Sequence, residues 1–271
     1  KFWKDKPSYS HYKKKIMSLF YNHLIKQKNK NILEKIAIYE NDEKKISYKD
    51  LIKLVKFYKN NLKKLGKNLR VLIILDHSIE LIALLYSISK LNFASIIIGK
   101  DVTVKYLKIF KKKMEFDFII TNYQFKKKFK SFKNKVIFID QINKFKVKKK
   151  INKNKNNFFI SSFSSGTTNK PKPFYYSEKT KFARYLQSKK IFKIEENDKL
   201  ISYTPIYHSL AQRISFLAIN SFSTLHIVKK FNADSYIKTI FNKKINVLFP
   251  ISSHLKLILF KLKDKKINFL K

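Results

Sequence analysis

The nine residues 164–172, Ser-Ser-Gly-Thr-Thr-Asn-Lys-Pro-Lys, gather small hydroxyls, one of the chain's 3 glycines and two lysines into one short stretch. Ser164, Ser165, Thr167 and Thr168 offer hydroxyls with little bulk, and Gly166 permits close backbone approach. Hydroxyls and backbone N–H groups converging on an oxyanion, with a lysine as point charge, bind phosphate. Lys172 is the candidate charge, and Lys170 reads as solvated. Composition alone leaves a second reading open, a solvated Ser/Thr loop in a lysine-rich protein. The segment is not a Walker loop, because G-x-x-x-x-G-K-[ST] is absent.

His208 is the second candidate, following Thr204-Pro205-Ile206-Tyr207. A lone histidine is ordinarily packed or exposed without a role. His11, His23, His77, His226 and His254 show no ligand spacing and read as structural. Asp76, His77 and Ser78 have the composition of a hydrolase triad, but adjacent residues cannot converge as a triad does. The absence of cysteine excludes disulfides, thiolate zinc sites and a cysteine nucleophile, and fits a cytoplasmic protein.

These residues need a scaffold. Phe158-Phe159-Ile160 reads as a buried strand leading into the loop, and Phe174-Tyr175-Tyr176 as the returning strand. Further strands are predicted over 36–39, 71–75, 94–98, 116–121, 136–139, 200–204, 224–228 and 246–249. Helical spacing is predicted within 9–30 and over 51–65, 79–91, 102–113, 178–192, 209–220, 233–241 and 252–262. Ser47 with Asp50 suggests a capping box, Ser78 a second cap, and Gly66 a helix C-cap. Alternating helices and unbroken apolar strands imply an α/β fold with a mainly parallel sheet covered on both faces. The Lys/Asn-rich stretch 143–157 is predicted to connect a first α/β subdomain, 1–142, to a second, 158–271, that carries the loop. Residues 79–98 are apolar, but Glu80, Lys90 and Asn92 interrupt them, so no transmembrane segment is expected. No signal peptide is visible, and a chain running from Lys1 to Lys271 is expected to be a fragment of a longer protein.

The net charge of +43 raises nucleic acid as a partner. Against it, Lys plus Arg total 61 while the only arginines are Arg70, Arg184 and Arg213. Arginine is the better residue for bidentate phosphate recognition. Lysines spread along the whole chain among Asn, Ile and Phe point to coding bias, so no specific nucleic acid is expected. A basic nucleic-acid-binding protein stays as the third reading.

The stretch 164–172 resembles the phosphate loop of the adenylate-forming superfamily, a hydroxyl residue followed by S-G-T-T-G-x-P-K. It matches at every position except Asn169, which stands for a glycine. Weaker echoes follow the family's order along nearly the whole chain. Ile46-Ser47-Tyr48-Lys49-Asp50-Leu51 is similar to "T-Y-x-E-L", and Leu65-Gly66 with Arg70-Val71-Leu72 to "L-G-x-x-x-G-D-R-V". Lys90-Leu91-Asn92-Phe93-Ala94 stands where the family has "K-A-G-a", and Pro205-Ile206-Tyr207-His208 resembles "P-l-f-H". Phe231-Asn232-Ala233 through Val247-Leu248-Phe249 resembles "F-d-p…v-T-v-l-f".

The resemblance implies layered α/β/α subdomains of a large N-terminal domain, truncated here. A small mobile C-terminal domain is expected in the full-length protein. The aromatic-Gly-x-Thr-Glu and Thr-Gly-Asp segments and a late catalytic lysine are not found before Lys271. The implied chemistry, of acyl-CoA synthetase type, uses ATP and Mg2+. A small-molecule carboxylic acid becomes an acyl-adenylate with loss of pyrophosphate, and a CoA or phosphopantetheine thiol then displaces AMP. Ser164, Ser165, Thr167 and Thr168 would wrap the β- and γ-phosphates, Gly166 and Asn169 would shape the turn, and Lys172 would neutralise the pyrophosphate. In acyl- and aryl-CoA synthetases the histidine of "P-l-f-H" lies beside the carboxylate pocket, so His208 tilts the substrate towards a fatty or aryl acid. The fragment alone is expected to be inactive. Asn169 tolerates positive φ better than other non-glycine residues, and Pro173, where glycine is usual, rigidifies the loop exit. Both departures keep open a catalytically impaired nucleotide-binding relative.

Overall fold

The computed structural model describes residues 18–41, 43–104, 107, 114–146, 150–152, 158–163, 173–229 and 231–262. Two short helices come first, α1 (Leu19–Ile25) and α2 (Lys30–Glu34). The helical spacing over 9–30 is thus broken in its described part. Gln27 Oε1 accepts the N–H groups of Lys28 and Asn29, and the Asn29 side chain then caps α2. A side chain that takes backbone donors competes with the helix.

β1 (Ile36–Glu40) and β2 (Lys44–Ser47) pair antiparallel. α3 (Tyr48–Leu62) starts as predicted: Ser47 Oγ accepts the Asp50 N–H at 3.1 Å and donates to its carboxylate at 2.9 Å. Gly66 is the C-cap residue of a 3-10 turn (Lys63–Leu65) that follows α3, and at φ 135° and ψ −146° it lies outside the left-handed helical region and opens β3 (Gly66–Lys67). A Cβ there would stand 1.8 Å from the Ile151 carbonyl oxygen, because β3 pairs with β8 (Ile151–Asn152).

The larger sheet takes β4 (Arg70–Ile74), β5 (Ala94–Ile97), β6 (Phe118–Thr121), β7 (Val136–Phe138), β9 (Ile160–Phe163) and β10 (Pro173–Tyr176). Its order is β10-β9-β5-β4-β6-β7, parallel except for the antiparallel edge strand β10. α4 (Ile79–Leu91) links β4 to β5, with Ser78 capping the Leu81 N–H and Asn92 closing the helix at φ 54°. It is buried almost all round, as its apolar sequence requires.

The chain then forms α5 (Glu178–Phe192), β11 (Lys199–Ser202), α6 (Ser209–Asn220), β12 (Thr224–Ile227), α7 (Ala233–Lys243) and α8 (Ser252–Lys261). The smaller sheet has the order β11-β12-β1-β2, with β11, β12 and β1 parallel. Each of these two sheets therefore draws strands from both sides of 143–157. The strand predicted over 246–249 reduces to one bridge, Val247 to Leu200. Asn246 instead accepts the Lys199 N–H and donates to Asp198. The helix predicted over 102–113 lies mostly outside the described residues.

The main core joins both sheets. Phe20 stacks on Phe216 with centroids 4.3 Å apart and on Phe159 at 5.8 Å, so α1, α6 and the start of β9 share one apolar centre. Each such buried ring is worth about 2 kcal/mol. Among the described residues no helix is long and apolar enough to cross a membrane.

Candidate active site

β9 is buried because Ile160, Ser161 and Ser162 pack inside the sheet beside β5. It ends at Phe163, whose cross-strand partner is Pro173 of β10. Both ends of 164–172 therefore leave the sheet together, next to β5. Ser164, Ser165, Gly166, Thr167, Thr168, Asn169 and Lys172 lie outside the described residues. Pro173 is the first residue of an edge strand, where a missing N–H is tolerated.

One buried amide braces this hairpin. Gln212 of α6 has no exposed surface. Its Oε1 accepts from Ser162 Oγ at 3.1 Å and from Lys181 Nζ at 2.7 Å. Its Nε2 donates to the carbonyls of Ser161 at 3.2 Å and Ile206 at 3.0 Å. The strand leading into the loop is thus tied to the turn leading into His208. Gln212 escaped the sequence reading, although a glutamine between Ala211 and Ile214 on an apolar helix face was a signal. Lys181 gave none among so many lysines.

A cleft of about 490 Å³ opens between the two sheets. It is lined by the residues that follow β1, β4, β5, β11 and β12, among them Asp76, Gly99, Lys100, Tyr207 and Lys229. Open α/β sheets bind ligands outside the carboxyl ends of their parallel strands. Gly99 has a packing reason: a Cβ there would lie 3.2 Å from Tyr207 Cε1. Lys100 pairs with Asp76 at 3.2 Å, with both side chains partly exposed. Lys229 pairs with the buried Glu40 at 2.6 Å, and Glu40 also accepts the Ile79 N–H at 3.0 Å. Burial lowers the Lys229 pKa, but the Glu40 carboxylate more than restores it, and the net shift is upward.

The rejected triad residues part company here. Asp76 goes to Lys100 and Ser78 caps α4, while His77 Nε2 lies 3.0 Å from Ser215 Oγ. Burial, against the Thr204 backbone, brings His77 down to about 4, so it is neutral at pH 7.

His208 is the N-cap residue of α6 and makes no side-chain cap hydrogen bond. Its N–H donates to the Pro205 carbonyl at 3.0 Å, and its ring centroid is 4.5 Å from that of Tyr207. The ring is exposed and stands beside the cleft; Tyr207, not His208, lines it. Desolvation lowers its pKa, which favours the neutral imidazole. An uncapped helix start leaves first-turn N–H groups for an anion. Among the described residues no three His, Cys, Asp or Glu side chains cluster to hold a metal ion.

Comparison with solved structures gives the same architecture. ATP-bound MatB from Rhodopseudomonas palustris superposes with a TM-score of 0.77 at 17% identity, over 90% of this chain and 51% of that one. The o-succinylbenzoate coenzyme A synthetase MenE from Bacillus subtilis, in complex with AMP, gives 0.73 at 17% identity, over 88% and 62%. The same enzyme with ATP and magnesium ion gives 0.75 at 16% identity, over 88% and 51%. The chain spans about half the length of the MatB chain it matches, and its fold is that of the N-terminal portion of adenylate-forming enzymes. No curated protein matches it in sequence. The sequence profile of the family described as AMP-binding enzyme matches residues 25–269, and the chain belongs to that family.

Proposed function

We propose that the full-length protein activates a carboxylic acid with ATP to an acyl-adenylate and passes the acyl group to a thiol such as that of CoA. The observation that carries this is the 164–172 motif, held between paired Phe163 and Pro173 at the carboxyl edge of a parallel sheet. A carboxylate oxygen attacks the α-phosphorus, the bond to the pyrophosphate oxygen breaks, and pyrophosphate leaves. Charge accumulates on the departing group, so electrostatic preorganisation dominates the barrier. Ser164, Ser165, Thr167 and Thr168 hold the β- and γ-phosphates, Gly166 and Asn169 shape the turn, and Lys172 carries the countercharge. Magnesium enters as part of the nucleotide substrate. His208 stands beside the cleft with its pKa lowered by desolvation and meets the carboxylic acid there, and a fatty or aryl acid suits the Tyr207 ring next to it.

The cleft takes its lining from both sides of 143–157, with Asp76, Gly99 and Lys100 before it and Tyr207 and Lys229 after it. The cysteine-free sequence suits the cytoplasm. Pyrophosphate–ATP exchange by the full-length protein, across a panel of fatty and aryl acids, tests the assignment. Exchange with at least one acid is expected, falling at least about 100-fold in Lys172→Ala, the loss typical of one removed charge-stabilising group. No exchange with any acid, with ATP still bound tightly, supports the impaired relative that Asn169 suggests.

A further inference from the structure

Between α5 and α6 three cations converge, and no acid is among the described residues that line the space between them. Lys181 of α5 is 4% exposed. Its ammonium gives one hydrogen bond, to Gln212, and lies 4.0 Å from the Tyr176 ring centroid. Arg184, one turn further along α5, has its guanidinium carbon 5.1 Å from the same centroid. Arg213 stands on α6, exposed, close enough to repel Lys181. Burial first, then Arg184 and Arg213, pull the Lys181 pKa down to about 7. Neither arginine has a hydrogen bond or ion pair to another described residue. The acid on the same helix, Glu178, is engaged elsewhere: its carboxylate takes the N–H groups of Ser18 and Phe20 and the Ser89 hydroxyl.

Between the two helices lies a cavity of about 10 Å³, lined by Lys181, Arg184, Tyr185, Ser209, Arg213 and Phe216. That is room for roughly one water-sized polar atom. Ser209 opens α6, whose N-cap makes no side-chain bond. Buried charges in proteins are ordinarily paired, and this cluster is all of one sign. Two of the chain's three arginines stand here, in a sequence that otherwise meets its need for positive charge with lysine. A guanidinium fork matches a tetrahedral oxyanion as an ammonium does not.

We propose that Lys181, Arg184 and Arg213 form a phosphate site on the α5–α6 face. One oxygen of the dianion enters the small cavity towards Lys181 and Ser209. The others lie on the guanidinium groups of Arg184 and Arg213. The proposal does not rest on the proposed ligase activity.

The test is a titration of the purified chain with inorganic phosphate at constant ionic strength, read as thermal stability, with sodium chloride as the reference anion. Wild type and the control Lys63→Gln/Lys64→Gln, which removes two exposed charges elsewhere, are expected to give a saturable rise. Arg184→Gln/Arg213→Gln, at half-buried and exposed positions, is expected to shift the midpoint at least tenfold upward. Lys181→Met is expected to do the same. A midpoint unchanged in the arginine variant, or a wild-type response no different from chloride's, overturns the proposal. Glycerol 3-phosphate as competitor separates the two sources of the group. Displacement of inorganic phosphate assigns the site to a phosphorylated ligand, and failure to displace it assigns the site to the free anion.

Discussion

Gln212 uses its whole hydrogen-bonding capacity on three elements: β9, α5 and the 205–208 turn. Gln212→Leu would leave two buried carbonyls and the Lys181 ammonium without partners. The cost is expected to be about 3 kcal/mol, since unmet buried groups lose more than the bond itself. Urea unfolding measures it, and a loss below about 1 kcal/mol would mean the network adds little stability. Lys181 supplies a pH signature. Its folded pKa, about 7, lies below the ordinary 10.5. Between those values the unfolded chain binds the extra proton, so stability should rise with pH across that window. Below pH 7 both states are protonated and the penalty is constant. In phosphate-free buffer, the wild type is expected to gain stability from pH 7 to 10 relative to Lys181→Met. Parallel curves for the two would refute the assignment. Lys181 did not announce itself in the sequence, and Gln212 did so only as a polar break in an apolar helix face, because burial beside a distant strand is not a local property.

At the scale of elements, local rules carried most of the structure. Ser47 and Ser78 start their helices by satisfying first-turn N–H groups, a contact confined to three residues. β4 and β5 are apolar because both faces of the sheet are covered, by the main core on one side and by Leu107, Phe116, Phe129 and Phe132 on the other. Gly66 shows the limit of such rules. Its position after a helix suggested a C-cap, and it caps a 3-10 turn, but what demands glycine is also the Ile151 backbone, 85 residues on, met at φ 135°. Gly66→Ala should therefore remove the β3–β8 pairing and destabilise the chain by about 2 kcal/mol or more, because strained φ and backbone overlap add. Hydrogen exchange at Lys67 and Asn152 reads the pairing directly. Unchanged protection at both amides would show that the backbone can yield there.

At the scale of the molecule, the two sheets are held together at their carboxyl edges. Glu40 ends β1 in the smaller sheet, yet it accepts from Ile79 at the start of α4 and pairs with Lys229 beyond β12. Glu40→Ala strands a helix N-terminus and a lysine at once. A loss of about 3 kcal/mol is expected, the low end for breaking a buried pair because Lys229 reaches solvent. Thermal or urea denaturation decides it, and a loss near zero would show that solvent replaces the carboxylate. The insertion of β1 beside β12 puts residues 38 and 225 in register. That pairing is nonlocal, and no periodicity in either segment encodes it.

The family motif at 164–172 was legible without any structure, because it consists of consecutive residue types in a fixed order. The helix starts and buried strands were legible for the same reason: caps and apolar periods act within a turn or a few residues. Only the tertiary structure decided that both sheets share strands from the two halves of the chain. It also decided that Tyr207 rather than His208 faces the cleft, that Gln212 joins the loop's strand to the histidine's turn, and that Lys181 meets two arginines. Each of these depends on which distant surfaces are buried against each other, and burial is settled by the packing of the whole chain.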